Sequence, residues 1–105
     1  MGEAVSSKAG VVAVLQTHAA RIRELGVRRI GLFGSFVRDE PEPESDVDLL
    51  VQFDPDEETY RNFMALALLL EDSLGRRVEL VTPESLSPFI GPHILKEVED
   101  VPLAA

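Results

Sequence analysis

Two aspartates separated by one residue are the feature of this sequence that points most directly to chemistry. Asp46 and Asp48 begin a stretch in which apolar and polar residues alternate. In a strand, residues i and i+2 point to the same side of the sheet, so both carboxylates should project together. Their Cα atoms would lie roughly 6–7 Å apart, which would let both groups bind one cation or bridge two. Oxygen ligands suit Mg²⁺ or Mn²⁺, and phosphate oxygens could complete the coordination.

A Gly-Ser pair that ends an apolar run could supply a site for phosphate groups. Gly34 would let the backbone approach a ligand closely, and Ser35 would add a hydroxyl and an N–H. If Ser35 begins a short helical turn, the amides of that turn would form an anion site. Taken singly, this pair favours a plain turn that leaves a strand, and Asp46 and Asp48 alone favour a solvated strand face.

A third carboxylate, that of Glu79, lies in the middle of the apolar run 77–81. Burying a carboxylate is costly unless it is paired or coordinates a cation. If Glu79 shares a sheet face with Asp46 and Asp48, the three groups converge, and such convergence requires a cation or a protonated member. The alternative is a glutamate on an edge strand that faces water, paired with Arg77.

The elements that must position these residues follow from the apolar periodicity. One face with spacings of three and four predicts a first helix from about Ser7 to Leu25. Val27–Phe33 is apolar with a β-branched bias, which predicts a buried strand that Gly34 ends. The polar, proline-rich stretch 39–45 predicts a loop.

The second half of the chain continues this pattern. Alternation over residues 46–53 predicts a strand with one apolar face and one face that carries carboxylates. A helical stripe, in which Tyr60 is expected to pack, predicts a second helix that ends before Gly75. Residues 77–81 predict a third strand, and Thr82 begins a helical turn with proline at its first position. A last short helix is expected over residues 92–99. The predicted class is therefore α/β (α+β), a small mixed β-sheet of about three strands packed with helices.

Composition and charge narrow the class of function. The chain has 105 residues, no cysteine and a formal net charge of −9. An acidic field repels phosphate backbones, so no nucleic acid is expected as a partner, although divalent cations could bridge the protein to one nucleotide. Without cysteine, neither a disulfide framework nor a thiolate metal site is possible. No segment resembles a signal peptide or a membrane span, which predicts an intracellular, cytoplasmic protein without a membrane partner.

The segment Gly34-Ser35, followed by ten residues and then Asp46-Val47-Asp48, resembles the signature of the polymerase-beta-like nucleotidyltransferase superfamily. The residues around both halves, and the segment 75–86, resemble its minimal nucleotidyltransferase (MNT) members. The resemblance covers about residues 22–98. It implies a nucleotidyltransferase fold and a single minimal nucleotidyltransferase domain over residues 1–105, with its core at about 22–98.

The resemblance also implies roles for individual residues. In that family the two aspartates hold divalent metal ions, which implies catalytic and metal-binding roles for Asp46 and Asp48. A third carboxylate completes the metal site, and Glu79 occupies that position, where the family usually has Asp. Mg²⁺ (or Mn²⁺) is the implied cofactor.

The phosphate-binding part of the site follows in the same way. The Gly-Ser turn of the family grips the triphosphate, which implies nucleotide-binding roles for Gly34 and Ser35. Arg38, in the residues that follow, is a further nucleotide-binding candidate that could neutralise phosphate charge, with a surface role as the alternative. The family often has Gly after this arginine, whereas this chain has Asp39.

Minimal members of this family resemble antitoxins that act beside a HEPN-domain ribonuclease toxin. The implied activity is transfer of AMP from ATP to a tyrosine hydroxyl of the toxin, by in-line attack on the α-phosphate. Three alternatives remain at this point: an antitoxin that acts by binding alone, a small-molecule transferase such as one that modifies an aminoglycoside, and an α/β domain with an acidic strand.

Overall fold

Over residues 4–103, which the computed structural model describes, the chain folds into helices and a four-stranded sheet. The regular elements, in chain order, are α1 Lys8–Thr17, α2 Ala19–Glu24, β1 Val27–Phe33, β2 Val47–Phe53, α3 Tyr60–Leu74, β3 Val78–Val81, α4 Gly91–Glu97 and β4 Glu99–Asp100. Short 3₁₀ turns cover Gly34–Phe36, Pro55–Glu57 and Pro83–Ser85. The predicted α/β class is thereby confirmed.

The sheet is mixed and has the strand order β3-β2-β1-β4. β1 pairs antiparallel with both β2 and β4, whereas β2 and β3 run parallel. The sequence predicts about three strands, and β4 is the additional strand. β4 has only two residues, Glu99 and Asp100, which pair with Leu32 and Gly31. A two-residue strand is too short to show any period in the sequence.

The apolar face of the sheet packs against the first three helices. The predicted alternation along β2 is confirmed, because Val47, Leu49, Val51 and Phe53 are buried and the residues between them are not. The buried residues that cover this face from the helices are Val11, Leu15, Ile22, Leu66, Leu70 and Leu74. Asp48 must therefore point away from the core, to the face of the sheet on which α4 and the turn before it lie.

The predicted first helix is broken into two. His18 leaves the helical region, with φ −101° and ψ 14°, between α1 and α2. The hydroxyl of Thr17 donates to the carbonyl of Ala13 at 2.9 Å, a side-chain bond that competes with the helix ladder and bends helices. The apolar stripe runs through the break, because Leu15 and Ile22 are both fully buried. Periodicity alone could not reveal this break.

The prediction that Tyr60 packs is wrong. Tyr60 is 79% exposed and is the first residue of α3. The buried residues of α3 are Leu66, Leu70 and Leu74, which lie from its middle to its end, so the buried part of the helix begins after the turn that contains Tyr60. Across residues 4–103, no helix is both long and apolar enough to cross a membrane.

Candidate active site

Asp48 and Glu79 face each other across two neighbouring parallel strands. Their Cα atoms are register partners in the β2–β3 ladder, and adjacent strands lie only about 5 Å apart. On its other side Asp48 pairs with Phe33, the last residue of β1. The alternation of β2 sends Val47 and Leu49 into the core, so the carboxylate of Asp48 extends from the opposite face beside that of Glu79.

The electrostatic environment of Asp48 is unfavourable for a carboxylate. Burial, followed by the like charge and hydrogen bonding of Glu79, raises its pKa from 3.8 to about 6, and Asp46 and Glu97 add smaller like-charge contributions. Within the described residues, no Lys or Arg forms a salt bridge with Asp48. Carboxylates held together without a basic partner favour a proton or a cation between them.

Asp46 is less firmly placed than the pattern predicted. It lies immediately before Val47, the first residue of β2, so the i, i+2 rule of a regular strand does not set its side chain. Its charge nevertheless acts on Asp48. Residues 4–103 contain no ready-made group of three or more acidic and histidine side chains that could hold a metal ion. The structure therefore brings Asp48 and Glu79 together and leaves Asp46 beside them.

Gly34 lies directly against Asp48, which only a residue without a side chain can do. Its φ is +79°, a left-handed conformation that favours glycine. A Cβ placed on Gly34 would lie 2.1 Å from Oδ2 of Asp48, so any side chain would collide with that carboxylate. Gly34 also begins the 3₁₀ turn that includes Ser35. The two halves of the sequence signature, 12 residues apart in the chain, thus meet in direct contact.

Arg38 and Gly34 share an acceptor that the sequence did not reveal. The N–H of Gly34 donates to Oε1 of Glu97 at 2.5 Å, and Nη1 of Arg38 donates to Oε2 of the same residue at 2.9 Å. Glu97 is the last residue of α4. Glu97 lies far from the signature in the sequence, and no recognisable pattern surrounds it. Its role could therefore not be predicted from the sequence.

Arg76 connects the loop before Asp46 to the turn after β1. Its Nη1 donates to the carbonyl oxygens of three loop residues, at 3.2, 3.0 and 3.0 Å, those of Glu42, Pro43 and Ser45. Its guanidinium also lies 5.0 Å from the ring centroid of Phe36. Arg76 therefore fixes the proline-rich loop at the residue that precedes Asp46. The sequence alone does not reveal this role, because Arg76 is there only one of the pair Arg76-Arg77.

A cavity of about 410 Å³ opens at the carboxylate pair. Its polar lining is Asp48, Glu79, Ser85 and Ser87, and its apolar lining is Phe33, Val81, Leu86, Ile90 and Ile94. Clefts of this size with a few converging polar groups are typical of small-ligand sites. A second cavity of about 290 Å³ on the same face is lined by Arg29 and Asp100, without the carboxylate pair. The chemistry therefore favours the first cavity.

Comparison with known proteins places this chain in a family. The family model described as "Nucleotidyltransferase domain" matches residues 15–101. Protein adenylyltransferase MntA of Thermococcus cleftensis is 43% identical over 89 residues, which are 84% of this chain and 89% of that protein.

Solved structures agree on the fold. A protein assigned as a minimal nucleotidyltransferase superimposes with a TM-score of 0.69 and 32% identity, over 84% of this chain and 93% of that one. A chain from the complex of a tri-AMPylated Shewanella oneidensis HEPN toxin with an MNT antitoxin gives a TM-score of 0.60 at 20% identity, over 86% of this chain and 71% of that one. The latter likeness concerns the fold alone. The chain therefore belongs to the nucleotidyltransferase domain family, as the Gly-Ser and Asp-Val-Asp segments implied, and its enzymatic class is nucleotidyl transfer.

Proposed function

We propose that this chain is a metal-dependent antitoxin that transfers AMP from ATP to a tyrosine hydroxyl of a HEPN-domain toxin. The observation that carries the proposal is the Asp48–Glu79 pair that lines a cavity, with Gly34 directly against Asp48. The name of the Thermococcus cleftensis relative, a protein adenylyltransferase, supports a protein as the acceptor. The AMPylated HEPN toxin found with an MNT antitoxin supports the choice of partner.

The donor set fits a hard divalent cation. Asp48 and Glu79 offer carboxylate oxygens within one cavity, Asp46 stands beside them, and like-charge repulsion already raises the pKa of Asp48. These three residues would hold Mg²⁺ or Mn²⁺, which prefer oxygen ligands. When bound, the ion supplies positive charge against the triphosphate and the transition state. In a chain of net charge −9, that charge is needed before a polyanion can bind.

The phosphates would be held by the turn after β1. Gly34 leaves room beside Asp48 because it has no side chain, and its N–H already donates to a carboxylate, that of Glu97. Ser35 adds a hydroxyl, and the guanidinium of Arg38 already binds a carboxylate beside this turn. These donors would orient the β- and γ-phosphates so that the α-phosphate faces the carboxylate pair.

The transfer itself needs one proton acceptor and one leaving group. The acceptor hydroxyl gives its proton to the carboxylate of Glu79 as its oxygen forms a bond to the α-phosphorus. The bond between the α-phosphorus and the oxygen that bridges to the β-phosphate breaks, and pyrophosphate leaves with that electron pair. The in-line geometry of this displacement depends on positioning more than on covalent help from the protein.

An apolar rim beside the cavity supports a protein acceptor. Phe89 is 85% exposed and Ile90 is 56% exposed, and Ile90 lines the cavity itself. Neighbouring exposed apolar side chains of this size are typical of surfaces that contact another protein. The rim would meet the toxin next to the hydroxyl that receives AMP.

Incubation with α-labelled ATP, Mg²⁺ and the candidate HEPN toxin tests the proposal. Wild-type protein should transfer label to the toxin, and Asp48→Asn should reduce the transfer at least a hundredfold, since it removes a proposed metal ligand. Asp56→Asn, the same change at an exposed position, is the matched control. Absence of label on a toxin that binds the chain would refute AMP transfer. If Asp48→Asn neutralises the toxin as well as wild type, the chain acts by binding alone.

A further inference from the structure

The carboxylate of Glu97 bridges the two groups that should bind phosphate. Oε1 accepts from the N–H of Gly34 at 2.5 Å and Oε2 accepts from Nη1 of Arg38 at 2.9 Å. Each oxygen of the carboxylate is therefore used, one on a backbone amide and one on a guanidinium. An amide N–H together with an arginine fork is also the donor set that proteins use for phosphate oxygens.

Glu97 and a nucleotide phosphate compete for these donors. Gly34 has a single N–H, and that N–H is fully engaged by Glu97 at a short distance. The carboxylate also adds negative charge beside Asp48, which a triphosphate would have to approach. Glu97 therefore opposes phosphate binding in two ways, by occupying the donors and by repelling the polyanion.

Release of Glu97 requires little rearrangement of the core. Of the seven residues of α4, all of which are described, only Gly91 is buried. The side chain of Glu97 is 33% exposed, so it can turn toward water. The residue after Glu97 is held more firmly, because Val98 packs directly on Gly31. A Cβ placed on Gly31 would lie 2.5 Å from Cγ2 of Val98. Elements with little buried apolar surface open at low free-energy cost.

We propose that Glu97 is an intramolecular competitor for nucleotide phosphate, which must leave Gly34 and Arg38 before ATP binds. This inference rests on the proposed function and adds a regulatory contact to it. Because Glu97 ends α4 and Ile94 on the same helix lines the cavity, displacement of Glu97 links nucleotide binding to the position of the apolar wall. A partner that moves α4 would then change the affinity for ATP.

The test is the affinity for ATP in the presence of Mg²⁺, measured by calorimetry on the full chain. Glu97→Ala should bind ATP about tenfold more tightly than wild type. This gain is expected when the Glu97 carboxylate no longer competes with phosphate for charge-assisted hydrogen bonds. Inorganic pyrophosphate, used as a second probe, should show the same gain. Glu99→Gln is the control, because Glu99 lies two residues away and pairs with Lys8 instead.

A second variant guards against a loss of folding. Glu97→Gln keeps the shape and the acceptor for the Gly34 N–H but loses the ion pair with Arg38, so a smaller gain in affinity is expected. Unchanged or weaker ATP binding in both folded variants, with wild-type binding intact, would overturn the inference while leaving the proposed function standing. If neither wild type nor the variants bind ATP or pyrophosphate with Mg²⁺, the proposed function fails and the inference fails with it.

Discussion

Replacing Asp48 by Asn should stabilise the fold while it abolishes transfer. Asp48 is a half-buried carboxylate beside Glu79, and this environment raises its pKa to about 6. The native state therefore holds a proton at Asp48 more tightly than the unfolded chain does. As the pH rises from 3.8 to about 6 and beyond, Asp48 of the native state loses this proton and becomes a carboxylate that Glu79 repels. The wild type therefore loses stability as the pH rises. Asparagine carries no charge, and its amide can donate to Glu79.

The magnitude follows from the two pKa values. The difference between 3.8 and about 6 corresponds to about 3 kcal/mol at a pH above both. Because Asp48 is only partly buried, solvent screening reduces the effect to about 1–2 kcal/mol. The stabilisation by Asp48→Asn should be near zero below pH 4, should grow between pH 4 and about 6, and should be complete above pH 7. It corresponds to a rise in Tm of about 5–10 °C for a domain of this size.

Urea unfolding at pH 4, 5, 6 and 7.5, in EDTA, measures this difference. Asp56→Asn is the control, because Asp56 is exposed in the turn Pro55–Glu57 and its variant should follow the wild type at every pH. If the free energies of unfolding of Asp48→Asn and wild type stay parallel from pH 4 to 7.5, the carboxylate pair does not repel as described. That result would remove the physical reason for expecting a cation there.

Two further outcomes follow from the same geometry. Gly34→Ala should abolish AMP transfer and lower the free energy of unfolding by about 1–3 kcal/mol, because φ is +79° and the new Cβ would meet Oδ2 of Asp48; activity and stability close to wild type would contradict the placement of this turn. Addition of about 10 mM MgCl₂ should raise the Tm of wild type and leave that of Asp48→Asn unchanged, and an equal shift in both proteins would place the cation elsewhere.

The elements of this protein could mostly be predicted because their signals are local. β1 is the apolar run Val27–Phe33, and the alternation of β2 separates a buried face from a face with Asp48. The helix break at His18, the two-residue strand β4 and the exposure of Tyr60 could not be predicted. The break depends on a side-chain hydrogen bond, and β4 depends on pairing with a strand that is distant in sequence. The exposure of Tyr60 depends on where along α3 the contact with the core begins.

By itself, the sequence determined the family and the parts of the site that lie within one segment each. The residue types and spacing of Gly34-Ser35 and Asp46-Val47-Asp48 suffice because a strand period and a glycine turn are properties of short stretches. Only the tertiary structure decided which groups meet. Parallel pairing of β2 with β3 brings Glu79 to Asp48, and the path of α4 carries Glu97 to Gly34 and Arg38. Such contacts join residues that are dozens of positions apart, and only the packing of the whole chain sets their distances.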